Sequence, residues 1–174
     1  LGDVYKRQEN KRSEDERIAA ARDIAAEAVV LLKNEGVLPL KQGARLAVNG
    51  IYGKPDHTDY LSGGGSAKVE WLKNSSDLPA ALAARGHEVA YEPAFGVSVI
   101  HSFSQNTRSA VLNAAKADVN IVCVGTGARV EYEEGDRLTM RLSEVQERAI
   151  LDTSACNPNT VVVVFAGAAV DMSA

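Results

Sequence analysis

From residue 45 onward, short apolar runs alternate with segments whose apolar residues recur at helical spacing. The runs are Leu46 to Ile51, Glu88 to Tyr91, Val119 to Val124 and Val161 to Phe165; the helical segments are Ser76 to Arg85, Thr107 to Ala117 and Ser143 to Ala155. Two runs, VNIVCV and VVVVF, are nearly unbroken and rich in β-branched residues, as strands buried on both faces require. Strands alternating with helices predict right-handed βαβ units. The expected fold class is α/β, a mostly parallel sheet sandwiched between helices in three α/β/α layers.

The first 44 residues read differently. Ser13 can cap a helix while Glu16 reaches back in a capping box, and Ile18, Ala21, Ala25 and Ala28 follow as one narrow apolar stripe. Val29 to Leu32 lead into the turn signal Lys33-Asn34-Glu35-Gly36, then Val37-Leu38-Pro39-Leu40, expected to be an extended connector packed on the domain. Leu1 to Gln8 (LGDVYKRQ) shows neither period and has the look of a cloning or assembly scar. The expected division is a non-native or linker segment at 1–12, a lead-in helix and interdomain connector at 13–44, and an α/β domain at 45–174. That domain is expected to be incomplete at its C-terminus, because the chain stops at Ala174 just after an apolar strand.

The connections are asymmetric. Helix-to-strand joints need only Gly86-His87, Asp118 or Asn157-Pro158-Asn159, whereas the strand-to-helix connections run to about 24, 15 and 18 residues against a usual ~2–6. In a parallel sheet all the long loops leave one edge, the carboxyl ends of the strands, where open α/β sheets bind ligands. The loops after Ile51 and Val124 are therefore the expected builders of a site.

Composition narrows the function. The chain has 174 residues, 19 Lys+Arg against 23 Asp+Glu, a net charge of −4 and 45% hydrophobic residues, enough for one core. No apolar run approaches a membrane span, and no basic cluster offers a nucleic acid a binding face. Cys123 and Cys156 lack zinc or disulfide spacing and are expected to be buried free thiols.

The loop after Val124 places Glu131, Glu133, Glu134 and Asp136 within six residues. Carboxylates that close raise one another's pKa, and one partly desolvated in a cleft can stay protonated and serve as a general acid. The opposing reading is a solvated acidic rim, with Arg129 and Arg137 as countercharges, on a non-catalytic α/β module that binds a small ligand. The loop after Ile51 contains SGGGSAK, Ser62 to Lys68, whose glycines let backbone amides approach a ligand. It lacks the Gly-Lys-Ser/Thr ending of a Walker loop, and Val130 stands where a dinucleotide fingerprint after Gly125-Thr126-Gly127 needs glycine. His57, His87 and His101 form no ligand set, and Ser66 has no evident His/Asp partner. No metal and no cofactor are expected.

Taken in order, four motifs resemble the C-terminal α/β sandwich domain of glycoside hydrolase family 3, the β-glucosidase and β-xylosidase group. They are AAEAVVLLKNEGVLPL (Ala25 to Leu40), SGGGSAKV, VEYEEGDR (Val130 to Arg137) followed by Leu142 and Gln146, and NPNTVVVVFAGAAVDM (Asn157 to Met172). The resemblance implies a retaining β-glycosidase acting on a β-linked oligosaccharide or glycoside, with an aspartate nucleophile on an N-terminal (β/α)8 barrel of the same chain. Carried over by motif position, Glu131 is the acid/base, with Glu133 its rival; Asp136 and Arg137 brace the loop, and Gly63, Gly64, Gly65 and Ser66 line the pocket mouth. Glu131 is expected to face the glycine loop. The family's usual Leu-Pro is replaced here by Leu142-Ser143, expected to supply a helix N-cap. Without the barrel, residues 1–174 are expected to have negligible glycosidase activity.

Overall fold

The computed structural model describes residues 12–54, 77–93, 95, 107–127, 135 and 137–173. The chain divides at Gly36 into two compact units. In the first, helix α1 (Glu14–Glu27) opens with the expected capping box: Ser13 Oγ accepts from the Glu16 amide at 3.2 Å, and Glu16 Oε2 accepts from the Ser13 amide at 2.7 Å. Glu14, Asp15 and Glu16 place negative charge at the positive end of the helix dipole. No residue of α1 is buried, so caps and charge, rather than the Ile18 stripe, hold it. The turn signal also stands, with the Gly36 amide donating to Asn34 Oδ1.

The second unit carries four parallel strands, β1 (Arg45–Asn49), β2 (Glu88–Glu92), β3 (Val119–Gly125) and β4 (Thr160–Phe165), in the order β2-β1-β3-β4. Leu46 lies between Val89 and Val119, while Ile121 meets Val161 and Gly125 meets Phe165. Helices α2 (Leu78–Ala83), α3 (Arg108–Ala114) and α4 (Glu144–Cys156) alternate with them.

The side chains of β3 sort the layers. Val119, Ile121 and Cys123 join Leu46, Val48, Ile51 and Tyr52 on one face, where Leu78 and Leu82 of α2, with Val37 and Leu40 of the connector, pack. Val122 and Val124 join Ala110 of α3 and Val145 and Ala149 of α4 on the other. The result is the α/β/α sandwich the pattern predicts. β3 is buried throughout, but β4 is only half-buried, contrary to the expectation from VVVVF, because among the described residues it is flanked by β3 alone.

A polar chain crosses the α3/α4 side of the sheet. Asn113 Nδ2 donates to Asn49 Oδ1, Asn49 Nδ2 to Asn120 Oδ1, and Asn120 Nδ2 to Thr160 Oγ1, at 3.0, 2.8 and 3.0 Å. Asn49 and Asn120 are fully buried, and the chain answers their desolvation cost. Cys123 is a buried free thiol whose pKa burial pushes up to about 12. Cys156 is instead exposed, at the final position of α4, one turn beyond the buried Thr153.

Candidate active site

The strand order reverses between β1 and β3: the chain steps from β1 outward to β2, then returns across β1 to β3. Such a switch point opens a crevice beyond the carboxyl ends of the two strands. β1 ends two residues short of the expected Ile51, because Gly50 turns at φ 102° into a short 3-10 turn, Ile51–Gly53. That turn buries Tyr52, whose ring stacks on Phe165 of β4 with centroids 6.2 Å apart. Lys54, which follows, holds its ammonium 5.1 Å over the Tyr91 ring.

The end of β3 meets this turn. A Cβ placed on Gly127 would lie 3.2 Å from the Tyr52 hydroxyl, so the segment leaving β3 passes directly beside the segment leaving β1. The roots of the two long loops named from sequence are thus neighbours. Thr126, between Gly125 and Gly127, is buried; its amide donates to the Phe165 carbonyl at 3.0 Å, and its hydroxyl has no protein partner among the described residues.

Gln146 fixes the last residue of β3. Its Oε1 accepts from the Gly125 amide at 2.7 Å and its Nε2 donates to the Gly125 carbonyl at 3.0 Å. β1 ends opposite Val122, so the side chain takes the place a neighbouring strand would occupy. Ser143-Glu144-Val145-Gln146 reads as a capping box, yet Ser143 makes no side-chain cap bond to the helix backbone; its Oγ accepts from Gln146 Nε2 at 3.2 Å instead. The S-x-x-Q spacing was the available signal, and the structure diverts the glutamine from the helix end to the strand end.

The return limb of the same loop is also tied down. Arg141 donates from Nε and Nη2 to the two carboxylate oxygens of Glu147 at 2.9 and 2.8 Å, a forked ion pair. The Asp171 amide donates to the Met140 carbonyl at 2.9 Å. Arg137, expected to brace this loop, donates from Nη2 to the Ala169 carbonyl at 2.9 Å. Glu131, Glu133, Asp136, Gly63, Gly64, Gly65 and Ser66 lie outside the described residues, as do Glu134, His57 and His101. His87 stands just before β2, away from this edge.

Among the described residues no cluster of His, Cys, Asp and Glu could hold a metal, and no helix is long and apolar enough to cross a membrane. A depression of about 370 Å³ lies at the opposite, amino edge of the sheet, lined by Ala114, Asp118, Cys156 and Asn157. Its polar groups are already engaged: Asn157 Nδ2 donates to the Ala114 and Ala117 carbonyls, and Asp118 binds Arg45.

A parallel β2-β1-β3-β4 sheet with helices packed on both faces defines a three-layer α/β domain. Residues 29–174 match the glycosyl hydrolase family 3 C-terminal domain, and the chain belongs to that family. It is 34% identical over 154 residues to a probable exo-1,4-beta-xylosidase of Aspergillus terreus, covering 88% of this chain and 19% of that protein. A thermostable beta-glucosidase B of Acetivibrio thermocellus is 29% identical over 177 residues, covering 97% of this chain and 23% of that one. Among solved structures, a family 3 beta-glucosidase of Bifidobacterium adolescentis superposes with a TM-score of 0.78 at 27% identity, over 96% of this chain and 24% of that one. The chain thus spans about a fifth to a quarter of the length of these relatives.

Proposed function

We propose that this domain supplies the general acid/base of a retaining β-glycosidase of the β-glucosidase or β-xylosidase type. The aspartate nucleophile and most of the sugar pocket would lie on an N-terminal (β/α)8 barrel of the same protein. The observation that carries the reading is the meeting of the two loop roots: Gly127, which leads into the carboxylate-rich segment, passes beside Tyr52, which leads toward SGGGS. Two loops that start together at a switch point can enclose one ligand between them.

In this reading Glu131 is the acid/base and Glu133 the alternative. The acid donates its proton to the glycosidic oxygen as the nucleophile attacks the anomeric carbon, and its carboxylate then takes a proton from the water that releases the sugar. Gly63 to Gly65 and Ser66 line the pocket mouth, and Asp136 and Arg137 brace the loop. The relatives carry the names of a xylosidase and a glucosidase, which supports a shared glycoside-hydrolysing chemistry, with sugar choice set mostly by the barrel.

The test uses the full-length protein that carries this domain. Glu131→Gln should reduce kcat/KM for substrates with poor, alkyl-type leaving groups on the order of 10²-fold or more, and for activated nitrophenyl glycosides far less, because kcat/KM reports the glycosylation step, in which only the former need protonation. Glu133→Gln should leave that pattern unchanged. The reverse result transfers the role to Glu133; equal loss on both substrate types in both variants contradicts acid/base duty for either.

A further inference from the structure

The most continuous apolar exposure among the described residues lies in the first unit. Val29, Val30, Leu31 and Leu32 are 78, 73, 63 and 84% exposed, and Ile24, on the last turn of α1, is 71% exposed. The four consecutive residues belong to no helix or strand. Their run stops at Lys33, which pairs with Glu35 at 3.0 Å, both side chains in solvent. Further on, Val37 and Leu40 pack on the core; residues 29–32 do not. A contiguous exposed apolar run of this kind marks a contact surface.

Helix α1 has the same need. A lone helix of 14 residues is marginal in water, and helices of that length are held by burying an apolar face. Nothing on α1 is buried, so its capping box stands without that support. The family match begins at residue 29, after α1. Likeness to the beta-glucosidase B of Acetivibrio thermocellus takes in 97% of this chain, which leaves too few residues out to omit the 14 of α1. This chain covers 23% of that protein, so α1 and the strip after it are shared with a much longer polypeptide.

We propose that Ile24 and residues 29–32 form a docking strip for the (β/α)8 barrel that precedes this domain in the full-length protein. The inference rests on the two-domain part of the reading above and not on the choice of acid/base. Chain connectivity puts α1 and the strip between a preceding domain and the sheet, on the N-terminal side of the matched domain. Glu14, Asp15, Glu16, Asp23 and Glu27 outweigh Arg17 and Arg22 along α1, which sets an anionic membrane surface against it. Two domains of one chain move relative to each other unless an apolar interface holds them. The strip supplies apolar side chains for that interface.

The experiment uses the full-length protein. A photo-reactive benzophenone side chain placed at position 31 should crosslink to a peptide of the barrel, identified by mass spectrometry. A crosslink to chain beyond residue 174 or to a second copy, or no crosslink at all, overturns the proposal. Hydrogen exchange gives an independent measure: amides 29–33 should exchange on the order of 10²-fold or more slowly than those of an unstructured peptide. Val30→Asp combined with Leu32→Asp should speed that exchange at least about tenfold, with the amides of β3 still protected. Exchange near the unstructured rate in the parent, or unchanged in the folded double variant, contradicts docking. If the double variant does not fold, the crosslink and the parent's exchange decide. A docked strip in a protein whose Glu131→Gln and Glu133→Gln variants show no leaving-group dependence overturns the acid/base reading alone. An open strip in an enzyme where Glu131→Gln behaves as expected overturns the docking alone.

Discussion

At the residue scale, two glycines set how closely the ends of β1, β3 and β4 approach one another. A Cβ on Gly125 would sit inside contact distance of the Phe165 carbonyl oxygen, and one on Gly50 would strike the Cys123 carbonyl oxygen. Both obstacles are backbone, which cannot swing aside as a side chain can. Gly125→Ala should therefore cost at least the roughly 1–3 kcal/mol typical of overpacking, read as a lowered denaturation midpoint. In the sequence Gly125 looked like the start of a failed dinucleotide fingerprint, and its steric role became visible only with Phe165 opposite. The acidic residues and the SGGGS glycines were conspicuous because their spacing is local. Gln146 acts across 21 positions, and only the packing of α4 against β3 brings Gly125 to it, whereas Glu147 meets Arg141 six positions back in the segment that leads into α4.

At the element scale, the strands begin with a charged fastening. Arg45 donates from Nη2 to Asp118 Oδ1 at 2.7 Å, and its amide and Nε donate to Asp118 Oδ2, so the start of β1 is tied to the residue before β3. These bonds hold the Asp118 carboxyl down from its ordinary 3.8 to about 2. A depressed carboxyl contributes its stabilisation in full above the unfolded-state value and loses it as pH falls through the folded one. Stability should thus decline between about pH 4 and pH 2 in part through this group, and Asp118→Asn should flatten that stretch of a denaturation-versus-pH curve. The elements themselves were largely legible, because the apolar periods of 2 and 3.6 come from burial. What the pattern overstated was the burial of β4: unbroken β-branched residues say that a segment suits a sheet interior, not how many neighbours flank it. β1 was drawn too long for a related reason, since Ile51 and Tyr52 are buried in a turn rather than a strand.

At the scale of the whole molecule, a parallel sheet gathers loops distant in sequence at one edge. Long strand-to-helix connections and short helix-to-strand ones were readable from the sequence as a statement about that edge, and the β2-β1-β3-β4 order adds that β1 and β3 end side by side. That order cannot be read from strand patterns, since it depends on which face each crossover helix covers. In the proposed mechanism the edge delivers one carboxyl group to a sugar held by another domain.

The central claim is that this carboxyl group is Glu131. In the full-length protein, Glu131→Gln should accumulate the glycosyl-enzyme on an activated aryl β-glycoside, because no base remains to activate water. Azide needs no such base, so adding it should restore turnover and yield a glycosyl azide of retained configuration. Undiminished turnover by the variant, or a diminished turnover that azide neither raises nor diverts into a glycosyl azide, would contradict the account.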